Sequence, residues 1–293
     1  MAVLALQYAL NGLATGSLYV LVALGIVILY RTSRILNFAH GDIATFGTFL
    51  AFTLITRLGV APLLAYLLTL ATTGLLGAGF YSLILRRAKE ATLLGQIVMT
   101  LGFALVLNGA VVVVWGADTK VFPSLLSETK VYHLGGIVIS QLSLGSLIMG
   151  FFLMVLLYLL VQWTKVGLAM RAVSQNPLAA QALGIPTRRV LALAWGVASA
   201  LGASAGILLA PVTLLDPFMM LDPFLKGFAA AVLGGMDSPP GAVVGGLVLG
   251  VIESLFGGFV SVAFKATLAF AIIVLVLTVR PEGLLGREYK KRV

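Results

Sequence analysis

Apolar runs of about 20 residues recur along the chain, and a helix of that length crosses the roughly 30 Å hydrocarbon core of a bilayer. Full spans are read at Leu4–Tyr30, Ala39–Thr56, Ala61–Leu85, Thr92–Trp115, Leu142–Trp163, Val190–Pro211, Gly241–Val260 and Ala263–Val279. Only 10% of the residues are charged, against about 25% in soluble domains, so the chain has too little polar surface to cover itself in water. The expected fold is therefore all-α, a polytopic transmembrane helical bundle. A length of 293 residues could hold two soluble domains. No Pro/Ser-rich linker or shift in composition divides the chain, however, and residues 1–293 read as a single transmembrane domain. The first apolar stretch lacks a basic leader and outruns a signal peptide's apolar region, so it reads as a retained span.

One stretch departs from the pattern. Phe224–Gly235 is too short to cross alone, and the Asp216-Pro217 and Asp222-Pro223 steps before it break helices. A broken or re-entrant segment is expected there, tolerated where protein or water satisfies its backbone.

Charge orients the bundle. One set of connections carries Arg31, Arg34, Arg86, Arg87, Lys89, Lys165, Arg171, Arg188, Arg189, Arg280, Arg287, Lys290, Lys291 and Arg292. The opposite set carries only Arg57, Lys120, Lys130, Lys226 and Lys265. The positive-inside rule then puts the N-terminus outside and the C-terminus in the cytoplasm. That alternation needs eight regular spans plus the broken segment as a crossing. The net charge of +9 is thus an orientation signal, with no basic face for nucleic acid.

Catalytic chemistry finds little to work with. There is no Cys, and the two histidines, His40 and His133, lie far apart in sequence. A His-Glu-x-x-His pair, a Gly-x-Ser-x-Gly elbow and a phosphate-binding Gly-x-x-x-x-Gly-Lys loop are all missing. The chain is expected to be no enzyme and to hold no cofactor or metal. Any energy source must lie in a partner.

Helices in lipid associate through close packing, which small residues allow. Small pairs four apart occur at Gly12 and Gly16, Gly202 and Gly206, Gly241 and Gly245, and Gly246 and Gly250. Polar residues also recur at helical spacing: Gln7, Asn11, Thr15 and Tyr19 on the first span; Thr92, Gln96, Thr100 and Asn108 on the fourth. Such groups face the bundle interior, where they either hydrogen-bond between helices or line a hydrated pathway. Asn11, Gln96, Thr100 and Asn108 are the pathway candidates. Asn37, His40 and Asp42 at the second span admit two readings as well: Asn37 as N-cap with Asp42 at the positive helix end, or part of an inner gate. Glu253 shares a face with Gly246, Gly250 and Gly257 and should meet a close neighbour helix, through a structural pair or in a transport role away from the substrate.

Three stretches carry a resemblance. Gly16-Ser-Leu-Tyr-Val-Leu-Val-Ala-Leu-Gly25 continues through Leu29-Tyr30 into Ile35-Leu-Asn-Phe-Ala-His-Gly-Asp42. Ala230-Ala-Val-Leu-Gly-Gly-Met-Asp-Ser-Pro-Pro-Gly-Ala-Val-Val-Gly-Gly246 forms a glycine-rich late segment, and Arg280-Pro-Glu-Gly-Leu-Leu-Gly286 closes the chain. Together they resemble the H-type (LivH-like) permease subunits of bacterial branched-chain amino-acid ABC importers. The resemblance implies a multi-pass protein of the bacterial plasma (inner) membrane. It also implies four partners: a sister permease, two ATP-binding subunits that hold the ATP, and an extracytoplasmic solute-binding protein.

The connection Thr164–Arg189 fits that picture. Asn176 and Pro177 are a helix start, and Gly184 with Pro186 a helix stop. In the family such a short helix docks on the ATPase. Ser174, Gln175, Asn176, Pro177, Ala179, Ala180, Ala182, Leu183, Gly184 and Ile185 are the coupling candidates, the alanines leaving room for a partner groove. The general Glu-Ala-Ala pattern survives only as Leu178-Ala179-Ala180 with Gly184 in register. An ion-coupled secondary transporter is the competing class, but it usually shows several carboxylates near the midplane; here Asp42 and Glu253 stand alone.

Overall fold

The computed structural model describes residues 1–88, 92–124, 130–134 and 136–286. Lys89, Arg287, Lys290, Lys291 and Arg292 of the charge argument lie outside the described residues. Eleven α-helices follow in order among them: α1 (Ala2–Ser33), α2 (His40–Thr56), α3 (Pro62–Leu83), α4 (Leu93–Trp115), α5 (Gln141–Trp163), α6 (Lys165–Gln175), α7 (Pro177–Ala182), α8 (Thr187–Thr213), α9 (Leu221–Gly234), α10 (Pro239–Phe259) and α11 (Lys265–Val279). Six are long and apolar enough to cross a membrane: α1, α3, α4, α5, α8 and α10. The chain is an all-α polytopic membrane protein. Helices α2, α9 and α11, with 17, 14 and 15 residues, are shorter.

Two features differ from the sequence reading. Between α4 and α5 lies a small antiparallel hairpin, β1 (Val131–Leu134) and β2 (Ile137–Ser140), with Val131 opposite Ser140 and Leu134 opposite Ile137. Its β-branched residues suit a pleated strand, and Gly136 turns at φ +88°. The second difference is at Asp222-Pro223, which lies inside the first turn of α9. A first-turn proline costs no helix hydrogen bond, so the step opens the helix where a break was expected. The irregular stretch is the one before it: Leu214 has φ +72°, and Leu215 exchanges two backbone hydrogen bonds with Lys120.

The chain forms two compact units. The first comprises Met1–Val27, Leu126–Gly150 and Asp222–Val293. Here α1 crosses α10 at the paired glycines. A Cβ on Gly12 would lie 2.7 Å from the Gly250 carbonyl oxygen, and one on Gly16 would lie 2.8 Å from that of Gly246. Gly241 and Gly245 seat α10 against Gly234 and Ala230 of α9 in the same way. The end of α9 is closed by the C-terminal motif, where the Leu284 and Leu285 N–H groups donate to the Leu233 and Gly234 carbonyls at 2.8 and 3.0 Å. Gly235 and Gly283 both have positive φ and touch there, and a Cβ on Gly283 would sit 2.7 Å from the Gly235 Cα. Two of the resemblance motifs are thus one structural joint.

The second unit comprises Ile28–Leu125 and Phe151–Leu221. Helix α8 is its axis. Gly196 lets α3 approach to backbone contact at Gly74, and Gly206 does the same for α2 at Ala44. Trp195 is fully buried, with ring centroids 5.5 Å from Phe80 and 6.2 Å from Tyr81, while Phe80 stacks on Phe103 at 4.1 Å.

Candidate functional site

The α5–α8 connection is built as a small helical platform. Thr164 ends α5 and starts α6: its hydroxyl donates to the Leu160 carbonyl at 2.6 Å and accepts the Gly167 N–H at 3.1 Å. Sequence reasoning missed α6, although Met170 and Val173 at helical spacing marked a buried face. These two pack with Ala180, Val190 and Ala194 in one cluster, flanked by Ile185.

On that platform stands α7. Asn176 caps it, Oδ1 accepting the Ala179 N–H at 3.0 Å, and Pro177 is its first residue. Gly184, at φ +81°, donates to Gln181, and Ile185 donates to Ala180, both at 3.0 Å. This is the Schellman closure, with Ile185 packed against the apolar cluster that holds Ala180. Ser174 is half-buried and donates to the Arg171 carbonyl at 2.8 Å. Gln175, Asn176, Pro177, Ala179, Ala182, Leu183 and Gly184 are exposed, whereas Ala180 is only 3% exposed. Ala180 therefore serves the chain's own cluster, and the surface open to a partner is carried by its neighbours. That surface includes Leu178 at 78% and Leu183 at 82% exposure. Leu178 was not among the coupling candidates and stood only where the family pattern has Glu; a leucine on a short capped helix in a charged connection was the signal.

The candidate pathway residues divide. Asn37, His40, Asp42, Gln96, Thr100 and Asn108 belong to the second unit, and Asn11 to the first. The Asn37 side chain accepts the Ala39 N–H at 3.0 Å, and its carbonyl accepts the His40 N–H at 3.3 Å. It makes an Asx turn before the helix, while Ala39 holds the N-cap position expected for Asn37. Thr100, fully buried on α4, accepts the Phe38 N–H at 3.4 Å. Gln96 lies one turn earlier and is half-buried. Asn108 donates to the Pro217 carbonyl at 3.0 Å and lies near the Asp42 carboxylate. Buried His40 lies against α8, where a Cβ on Gly202 would meet its ring at 3.1 Å. The α2 entry, α4 and the 216–218 turn thus form one polar seam.

In the first unit the polar row on α1 is used structurally at its start, where Gln7 hydrogen-bonds both backbone groups of Val138 in the hairpin. Its last member, Tyr19, lies beneath Lys226, whose Nζ is 5.6 Å from the ring centroid. Lys226 was counted above as a loop cation. It is instead buried on α9 and paired with Asp222 at 2.8 Å and Glu253 at 2.6 Å. The Asp222–Lys226 spacing of four, an ion-pair spacing on a helix, was the available signal. Glu253 does meet a close neighbour helix, as expected.

A multi-pass chain of long apolar helices, with polar side chains and an ion pair buried inside them and a helical platform between two spans, has the build of a membrane permease. Residues 8–279 match the family described as the permease component of branched-chain amino acid transport systems, and the chain belongs to that family. It is 32% identical over 300 residues to the high-affinity branched-chain amino acid transport system permease protein BraD of Pseudomonas aeruginosa, covering 98% of each chain. It is 31% identical over 308 residues to LivH of Escherichia coli K12, covering 98% of this chain and 97% of that one. The probable LivH of Methanocaldococcus jannaschii is 30% identical over 292 residues, with 94% and 90% covered. This is a transporter family, and the chain is a multi-pass membrane permease.

Proposed function

We propose that the chain is the H-type permease subunit of an ATP-driven importer in the bacterial inner membrane. It translocates branched-chain amino acids handed over by an extracytoplasmic binding protein, together with a sister permease and two ATP-binding subunits. The observation that carries this is the build of α7: capped at both ends, braced on its own apolar cluster, and presenting Leu178 and Leu183 outward. A chain without a phosphate-binding loop takes its driving force through a surface, and a braced, apolar, exposed helix transmits force without melting. Proteoliposomes holding both permeases and the two ATP-binding subunits should accumulate leucine only with both ATP and binding protein present. Accumulation driven by an ion gradient without the ATP-binding subunits would overturn the reading. In the same assay the polar seam serves as an inner gate: Asp42→Asn, which keeps size and hydrogen bonding, should lower uptake about tenfold. Uptake at the unmodified rate would reduce the seam to a helix entry.

The orientation follows from the cation asymmetry, with the N-terminus outside and the C-terminus and α7 in the cytoplasm. Removing Lys226 from the outer set strengthens the bias. In this reading α2 and α11 complete eight regular spans, and α9 is the discontinuous one. The chain has no cysteine, so single cysteines report cleanly. Cysteines at Thr119 and Ser140 should react with an impermeant thiol reagent in intact cells, and those at Ser174 and Thr187 only after permeabilisation. The opposite pattern would invert the topology.

A further inference from the structure

The charged cluster of the first unit has a property that a structural staple does not need. Glu253 is 1% exposed, and its Oε2 makes no hydrogen bond, while Oε1 takes Lys226. The other partner of Lys226, the Asp222 side chain, is 60% exposed. Lys226 thus bridges a sealed carboxylate and an open one. Lys265 of α11 stands 3.8 Å from Glu253, and Tyr19 of α1 underlies the ammonium. Four helices converge on this point. A buried ion pair adds little stability over well-packed apolar residues, and charges kept inside a membrane bundle are functional by default.

We propose that Asp222, Lys226 and Glu253 form a transit site for the zwitterionic head of an α-amino acid, a reading that rests on the substrate class proposed above. The exchange keeps every charge paired. The substrate carboxylate takes Lys226 over from Asp222. The substrate ammonium is then held by the released Asp222 and by the vacant Oε2 of Glu253. A zwitterion adds no net charge, so it enters this low-dielectric site without leaving a group uncompensated, whereas an ion of either sign would leave one. The site reads the head group common to all amino acids and leaves side-chain choice to the binding protein.

Two paired variants test this in the same reconstituted system, binding protein included, with radiolabelled leucine as the probe. Lys226→Met with Glu253→Leu replaces the pair by apolar residues of similar size. It should accumulate and assemble like the unmodified chain, yet lose uptake by about tenfold or more. The exchange Lys226→Glu with Glu253→Lys restores a cross-helix pair but sets two carboxylates side by side at the open end; uptake should stay low. Uptake at the unmodified rate by either variant would show that the pair only ties helices, and would overturn the site. Should both fail to accumulate, Glu253→Gln decides, because it keeps shape and one hydrogen bond: full uptake overturns the proposal, and a tenfold loss with normal assembly supports it. Absence of leucine uptake by the unmodified complex would instead remove the substrate class, and this site with it.

Discussion

Replacing Gly250 by leucine is expected to remove most folded permease from the membrane. A Cβ at this position would lie 2.6 Å from the backbone nitrogen of Gly16, and one at Gly12 would lie 2.7 Å from the Gly250 carbonyl oxygen. The obstacles are backbone on both sides, so no rotamer change relieves them, and α1 and α10 must separate. In lipid their association rests on that close packing, with no hydrophobic drive to replace it. Ordinary overpacking costs about 1–3 kcal/mol, occasionally more. A loss of about 1–2 kcal/mol already changes abundance several-fold. The measurement is the amount of protein that survives mild detergent extraction and elutes as a single species. Gly102→Leu is the control, since a Cβ there meets nothing within 4 Å, and it should behave like the unmodified chain. Equal yields from the two variants would show that the crossing is not tight.

That crossing also marks how far the sequence speaks. Gly12 with Gly16, and Gly246 with Gly250, each announce a close approach. Nothing local says that the two pairs meet each other, because spacing describes one helix face and not its partner across more than two hundred residues. The same limit hid the joint between Gly235 and Gly283, although both segments stood out as motifs. Lys226 misled for a different reason. A lysine beside Asp-Pro steps resembles a loop cation, and only the three-dimensional placement of Glu253 turns it inward. The ends of α7 were legible because capping is chemistry between residues a few positions apart, at Asn176 and Gly184. Its orientation was not, since which alanine faces inward depends on α6 and α8.

That orientation sets the second large expectation: Leu178→Asp combined with Leu183→Asp should abolish ATP-driven uptake without harming the permease itself. Both leucines are mostly exposed, at 78% and 82%, so their replacement removes little packing inside the chain, and the variant should insert and pair with its sister permease normally. On the ATPase side each aspartate would place a charge where an apolar knob meets a groove. Losing one anchor of a small interface costs about 1.4 kcal/mol per tenfold of affinity, and hot-spot residues exceed that. Co-purification of the ATP-binding subunits should fall together with uptake. Ala180→Glu offers a contrast, because Ala180 faces Met170, Val173, Val190 and Ala194. A carboxylate there is buried without a partner, so this variant should fail earlier, as loss of the folded α6–α7 platform and lower protein yield. Normal ATPase binding and uptake by the double aspartate variant would mean that the driving force enters the permease elsewhere than α7.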